Sequence, residues 1–211
     1  MTNISFKERI RTELFNAAKQ YKLVFLDYEY LICSDAFSKK EYYIISAAKD
    51  NFMHLTGVNS LISAQDFFDK CFDGTLSEND FDFSRSGQNE KSVKGTVRRK
   101  VKVLPDMMLL FHDGVLTEED FKKNNVLCSF ATADGSCTLG FIDVGKARPK
   151  SLIKGNELKN PCPVDLILRR KTGAHLFNEI IVGDGAAINK YKEKIKSFIS
   201  IDLLDVDDSN N

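Results

Sequence analysis

Residues 125–144 read NVLCSFATADGSCTLGFIDV, two alternating apolar runs around Ala133-Asp134-Gly135-Ser136. The Asp-Gly pair tolerates positive φ at its central positions, so this stretch predicts an antiparallel hairpin. A second hairpin is expected from VDLILRRK (164–171) and HLFNEIIVG (175–183), joined by Thr172-Gly173-Ala174. Upstream, KLVFLDYEYLIC (22–33) and EYYIISAA (41–48) are rich in aromatic and β-branched residues and read as strands, with SDAFSKK as their turn. Antiparallel pairs of this kind are the frame of an α+β fold.

Helical spacing surrounds that frame. Phe6, Ile10, Leu14, Phe15 and Ala18 form one stripe over residues 5–20. Ser63 can cap AQDFFDKCF (64–72), and Val93, Val97, Val101, Leu104 and Met108 mark a helix from Val93 to about Leu110, kinked or broken by Pro105. LTEEDFKK (116–123) is expected as a short helix capped by Thr117, and INKYKEKIKSFI (188–199) as an amphipathic terminal one. Residues 73–92 and ARPKSLIKGNELKNPCP (147–163), which holds three of the four prolines, read as loops. Residues 1–200 are therefore expected to form one α+β domain, an antiparallel sheet with amino-terminal, central and carboxy-terminal helices. Residues 201–211 are expected as an acidic, flexible tail.

Composition narrows the function. In 211 residues, 43% hydrophobic, a substantial core can be buried, and thirty basic residues balance thirty acidic ones. Attraction to nucleic acid must then come from local clusters. No apolar run reaches the length of a membrane span and the amino terminus lacks a signal-peptide core, so a cytoplasmic protein is expected. Cys33, Cys71, Cys128, Cys137 and Cys162 are scattered without CxxC or zinc-type spacing, which argues against a disulfide framework, a metal site or a cofactor built on thiols. P-loop, GxGxxG, GxSxG and HExxH signatures are all missing. Asp80 and Asp82 read as solvated loop carboxylates.

The histidines and cations carry what remains. His54 stands in MHLTG directly after a predicted strand, near Thr56 and a glycine that permits close backbone approach. It can be a phosphate-facing acid or base, or a hydrogen-bonded turn residue. His112, in FHDG, reads as a partner of a helix end. His175 follows KTGA near Arg169, Arg170 and Lys171 and is either part of a cationic site or a surface residue. From Lys91 to Lys102 there is no acid, and Lys94, Arg98, Arg99 and Lys100 give either a solvated face or a phosphate track.

The order YKLVFLDYEYLI, YYIISAAKDNFMHLTGV, AQDFFDKCFDGTLSENDF, GTVRRKVKVLPDMMLLF and RPKSLIKGNEL resembles the phage-associated branch of the barnase-EndoU-colicin-RelE-like nuclease superfamily over nearly the whole chain. NFMHLTGV followed by FFDKCFDG is its most distinctive part. The resemblance implies a compact α+β nuclease of phages, prophages or conjugative elements, metal-independent, without cofactor, cleaving RNA by attack of the 2′-hydroxyl on phosphorus in a bacterial host's cytoplasm. It maps His54 and Thr56 as site residues, and Lys150, Ser151, Lys154, Arg169, Arg170 and Lys171 as phosphate-side groups. The resulting candidate catalytic set is His54, Thr56, Lys154, Arg169, Lys171 and His175. The candidate nucleic-acid-binding set is Lys94, Arg98, Arg99, Lys100, Lys150, Ser151 and Arg170. RNA is the expected partner. The alternative is a non-catalytic member that inhibits a host system, or a toxin held by an antitoxin.

Overall fold

The computed structural model describes residues 4–123 and 125–204. In chain order they form α1 (Phe6–Tyr21), a π-turn (Lys22–Leu26), β1 (Tyr28–Cys33), β2 (Tyr43–Ile45), α2 (Lys49–Thr56), β3 (Asn59–Ser60), α3 (Ala64–Asp73) and β4 (Phe81–Asp82). These are followed by α4 (Glu90–Lys102), α5 (Leu104–Met108), β5 (Leu116–Glu119), β6 (Lys122–Lys123), β7 (Val126–Leu127), β8 (Phe130–Ala133) and β9 (Cys137–Asp143). The last elements are β10 (Ala147–Lys154), β11 (Cys162–Pro163), β12 (Leu166–Lys171), β13 (Glu179–Val182), α6 (Gly185–Ile195) and α7 (Ile201–Leu204).

Nine strands make one sheet in the order β11-β5-β8-β9-β10-β2-β1-β12-β13. Every neighbouring pair is antiparallel except β10 with β2, which meet in parallel through Ala147 and Ile45. The period-two rule then sorts the side chains. Along β1, Tyr30 and Ile32 enter the main core beneath α1 to α5, whereas Leu31 and Cys33 enter a second core on the opposite face with Ile188, Tyr191 and Ile195 of α6. The fold is α+β, as the hairpin signals require.

Side-chain caps fix the helix starts. Ser5 Oγ accepts from Glu8 N, Ser63 Oγ from Asp66 N, Asn89 Oδ1 from Ser92 N and Asp184 Oδ1 from Ala187 N. Helix α4 buries Val93, Val97 and Val101, and Pro105 opens α5 instead of kinking one continuous helix.

Several local expectations yield to tertiary pairing. Residues 116–119 and 122–123 are strand, with Asp120 in a turn between them: Leu116 to Glu119 pair with Ala133 to Phe130, and the Thr117 hydroxyl donates to the Ala131 carbonyl in place of the expected helix cap. Ladder bonds outweigh a weak local preference there. The first part of the 147–163 loop is β10, paired along β9 with Lys150 bulged out between Pro149 and Ser151. The amino-terminal half of the 22–33 strand is the π-turn, and the 41–48 strand shortens to Tyr43–Ile45 before α2 begins. The long 73–92 loop contains β4 against β3, and Asp80 within it is buried, accepting from Ser77 N and Lys70 Nζ. Residues 201–204 of the expected tail form α7, and 205–211 lie outside the described residues. Four of the cysteines are buried and all five are free thiols.

Candidate nucleic-acid cleft

Strand β10 runs beside its one bridge to β2 and then continues, among the described residues, with a ladder partner only on the β9 side. A cleft of about 430 Å³ opens there, lined by Ser151, Leu152, Ile153 and Lys154 of β10. Four consecutive strand residues point to both faces of a sheet, so the cleft meets β10 along its edge. Its other walls are Thr96, Arg99 and Lys100 of α4, Arg85 and Gln88, and Lys123 with Val126. Arg85, Arg99, Lys100, Lys123 and Lys154 face a single carboxylate, Glu157, which is ion-paired with Lys123. Such a lining carries more cation than carboxylate, a charge pattern that suits a polyanion.

Helix α2 supplies the corner behind α4. It ends at Gly57, whose φ of 79° gives the left-handed cap. Lys100 reaches across this cap, and its Nζ donates to the His54 carbonyl over 3.1 Å. A Cβ on Gly57 would stand 2.9 Å from Lys100 Cδ, so the missing side chain leaves the path for the lysine stem. Arg85 Nη2 donates to the Gly57 carbonyl over 3.3 Å. Two carbonyls at the end of α2 are thus bonded by cations, as the negative end of a helix favours. Burial, reinforced by the neighbouring Arg85 charge, pulls the Lys100 ammonium down to about 8.

The HLTG residues are therefore helical, not a free loop after a strand. The His54 ring is exposed on the last turn of α2. Thr56 is wholly buried; its hydroxyl donates to the Met53 carbonyl and accepts from Val58 N. It closes the helix end and has no hydroxyl left for a phosphate.

Of the remaining candidates, Arg99, Lys100, Ser151 and Lys154 share the cleft. Lys150, on the bulge, donates to the Leu127 carbonyl. Lys94 and Arg98 lie on the opposite flank of α4: Lys94 pairs with Glu90, and both cations approach the Phe6 ring. The β12 cations are separated from β10 by β2 and β1, roughly 14 Å at ordinary strand spacing. There, Arg169 is bonded to Glu179 and stacked on Tyr28. Arg170 is buried, paired with Glu29, and gives Nη1 to the His175 carbonyl, so its guanidinium is engaged by protein partners. Lys171 and His175 are exposed at that far hairpin. His112 bonds the Asp113 carbonyl in a turn, outside any helix.

Arg85, Gln88, Thr96 and Lys123 are cleft residues that the sequence alone does not single out. A signal for the α4 wall exists: at 100° per residue, Thr96 and Lys100 fall on one flank of the Val93-Val97-Val101 stripe, Lys94 and Arg98 on the other. Arg85 has no such signal, because its placement depends on the β3–β4 pairing. Among the described residues no three His, Cys, Asp or Glu side chains are grouped to hold a metal, and no helix is long and apolar enough to cross a membrane.

Comparison with known proteins adds one finding. The model of a family described as phage-Barnase-EndoU-ColicinE5/D-RelE like nuclease 4 matches residues 13–206. No curated protein and no solved structure matches the chain.

Proposed function

We propose, from the premise that the chain belongs to the phage-Barnase-EndoU-ColicinE5/D-RelE like nuclease 4 family, that its substrate is RNA and its reaction a metal-independent transesterification in the α4–β10 cleft. Membership supplies nuclease function of the phage-associated type. The observation that carries the finer reading is the lining of the cleft, five cations against one already paired carboxylate. Carboxylate-rich sites recruit divalent cations to meet phosphate. A cation-rich site meets it directly, and does so most strongly as charge builds on the phosphorane.

In this reading Arg85, Arg99 and Lys154 hold the scissile phosphate. His54, exposed at the α2 end that also binds Lys100, takes the proton from the 2′-hydroxyl. The 2′-oxygen attacks phosphorus, the bond to the 5′-oxygen breaks, and the products are a 2′,3′-cyclic phosphate and a 5′-hydroxyl. Arg169, Lys171 and His175 stand outside this chemistry. The test is incubation of the protein with end-labelled RNA and DNA of one sequence in chelator. Cyclic-phosphate RNA ends and intact DNA are expected; equal cutting of DNA, or activity lost in chelator and restored by magnesium, overturns the reading.

A further inference from the structure

Cleavage by 2′-hydroxyl attack moves two protons, one off the nucleophile and one onto the leaving 5′-oxygen. His54 can serve one of these. The second group must lie within reach of the same phosphate and hold a proton it can release.

Lys100 has that position. Most lysines of this chain are exposed or ion-paired, as Lys70 is with Asp80 and Lys190 with Asp35 and Asp165. Lys100 is half-buried, and its one hydrogen bond among the described residues goes to a neutral carbonyl. The groups around it are almost all cationic or neutral. Helix α2 offers the His54 carbonyl; the segment after β4 offers Arg85; α4 itself offers Arg99; β10 offers Lys154; and Lys123 stands opposite with Glu157 bound to it. Even a half-buried ammonium without a counter-ion is costly to a fold. The protein nonetheless builds a passage for it, since Gly57 leaves open the space through which its Cδ passes. A phosphate in the cleft would supply the missing counter-charge.

We propose that Lys100 is the general acid of the reaction: its ammonium gives a proton to the 5′-oxygen as the phosphorus–oxygen bond breaks, while His54 holds the proton taken from the 2′-hydroxyl. The assignment rests on the ribonuclease reading above. Exchange with water returns the proton to Lys100 and removes the one on His54, so the protein ends each turnover unchanged. HLTG then acts twice, through the His54 imidazole and, by its backbone, as the seat of a lysine from another helix. A Lys100 ammonium lowered to about 8 is also a far better proton donor than an ordinary lysine.

The experiment is single-turnover cleavage of a short RNA and of its analogue with sulfur at the scissile 5′ position, whose thiolate leaves without protonation. Parent, Lys100→Arg and Lys100→Gln proteins are compared, each checked for thermal melting and RNA affinity. For the parent, the subsaturating single-turnover rate on ordinary RNA, which reports the free protein, should fall above about pH 8, where Lys100 loses its proton. Lys100→Arg, which keeps the charge but not the labile proton, should lose about a hundredfold or more on ordinary RNA, bind it within a few-fold, lack the fall near pH 8, and cut the sulfur substrate at close to the parent rate. Lys100→Gln should behave alike toward the sulfur substrate after allowance for weaker binding. Equal defects on both substrates, or a Lys100→Arg rate like the parent's, overturn the assignment and leave the ribonuclease reading intact. A parent that leaves RNA uncut overturns both.

Discussion

Arg170 and Glu29 face each other across the β12–β1 ladder with Nη2 and Oε2 2.7 Å apart, their side chains only 9% and 4% exposed. Lys146 closes the group with 2.5 Å to the other carboxylate oxygen, and Arg170 also lies over the Phe177 ring. Removing Arg170 would leave a buried carboxylate half-compensated. Arg170→Ala should therefore lower stability by about 3 kcal/mol in denaturant titration, while the folded protein binds RNA as before. A change below about 1 kcal/mol, the range of exposed pairs, or a loss of affinity without a loss of stability, would return Arg170 to the phosphate-binding set.

Acid should destabilise the fold in a defined direction. Burial alone would raise Glu29, yet bonds from Lys146, Ser46 and Arg170 hold it below the usual carboxylate range, and bonds from Tyr43, Ser38 and Lys39 do the same for Glu119 against its own burial. Lys70 and the Ser77 amide hold Asp80 down to about 2. Carboxyls lowered in the folded state bind protons more readily when unfolded, so their stabilisation is whole above the unfolded values and drains as pH falls through the folded ones. Unfolding midpoints should be level near neutrality and decline from about pH 4 downward, with Asp80→Asn flattening the lowest part. A midpoint insensitive to pH over that window would contradict the assigned bonds.

The two flanks of α4 should differ in RNA binding. Arg99→Ala or Lys154→Ala should weaken affinity and reduce the salt slope by about one for each phosphate that the variant no longer neutralises. Lys94→Ala and Arg98→Ala, on the Phe6 side, should do much less. Filter-binding titrations across a salt series separate the cases; equal effects on both flanks would make α4 a uniformly solvated helix.

His54→Ala should reduce the cleavage rate by about a hundredfold or more with the fold intact, the scale of an acid–base group. Thr56→Val should instead cost stability and spare the chemistry of the folded fraction, since its hydroxyl closes the α2 end. The rate must be read beside thermal melting of each variant. Parental turnover by folded His54→Ala removes the imidazole from the mechanism.

Gly57→Ala tests the passage. Its Cβ would meet Lys100 Cδ at 2.9 Å, in a backbone conformation of φ 79° that alanine resists. A loss of about 1 kcal/mol or more in stability is expected from the backbone alone. Cleavage should fall further than that loss explains, because the ammonium is displaced from the His54 carbonyl. Full activity in the folded variant would show that this seat is dispensable.

The hairpins, α1, α3 and most of α4 are legible in the sequence because each is decided locally: by Asp134, whose carboxylate accepts from Ser136 N and Cys137 N and turns the chain without the positive φ expected at Gly135, by the apolar stripe over 5–20, by Ser63, and by the valine stripe. What escapes depends on partners far along the chain. Residues 116–119 become strand because β8 offers a ladder, and 147–154 because β9 does, despite Pro149. The cleft is only partly visible for the same reason. Lys100, Lys154 and Ser151 can be named from the sequence, but not that Arg85 joins them, nor that β2 and β1 separate Arg169 from Lys154. Thr56 shows the limit of motif reading: the residue type suits a phosphate, and the helix end uses it up.

The single Ala147–Ile45 rung leaves β10 without a second ladder partner, among the described residues, where it lines the cleft. Amide hydrogens there carry no protonation equilibrium and survive every side-chain replacement. Under the ribonuclease reading, a strand margin of that sort would grip a sugar–phosphate chain by its repeat, indifferent to the letters it carries. Selectivity for particular RNAs, in such a protein, would have to enter through the shape of the target or through what else is bound to it, and neutral replacements at Lys154 or Arg99 would blunt the grip without rewriting preference.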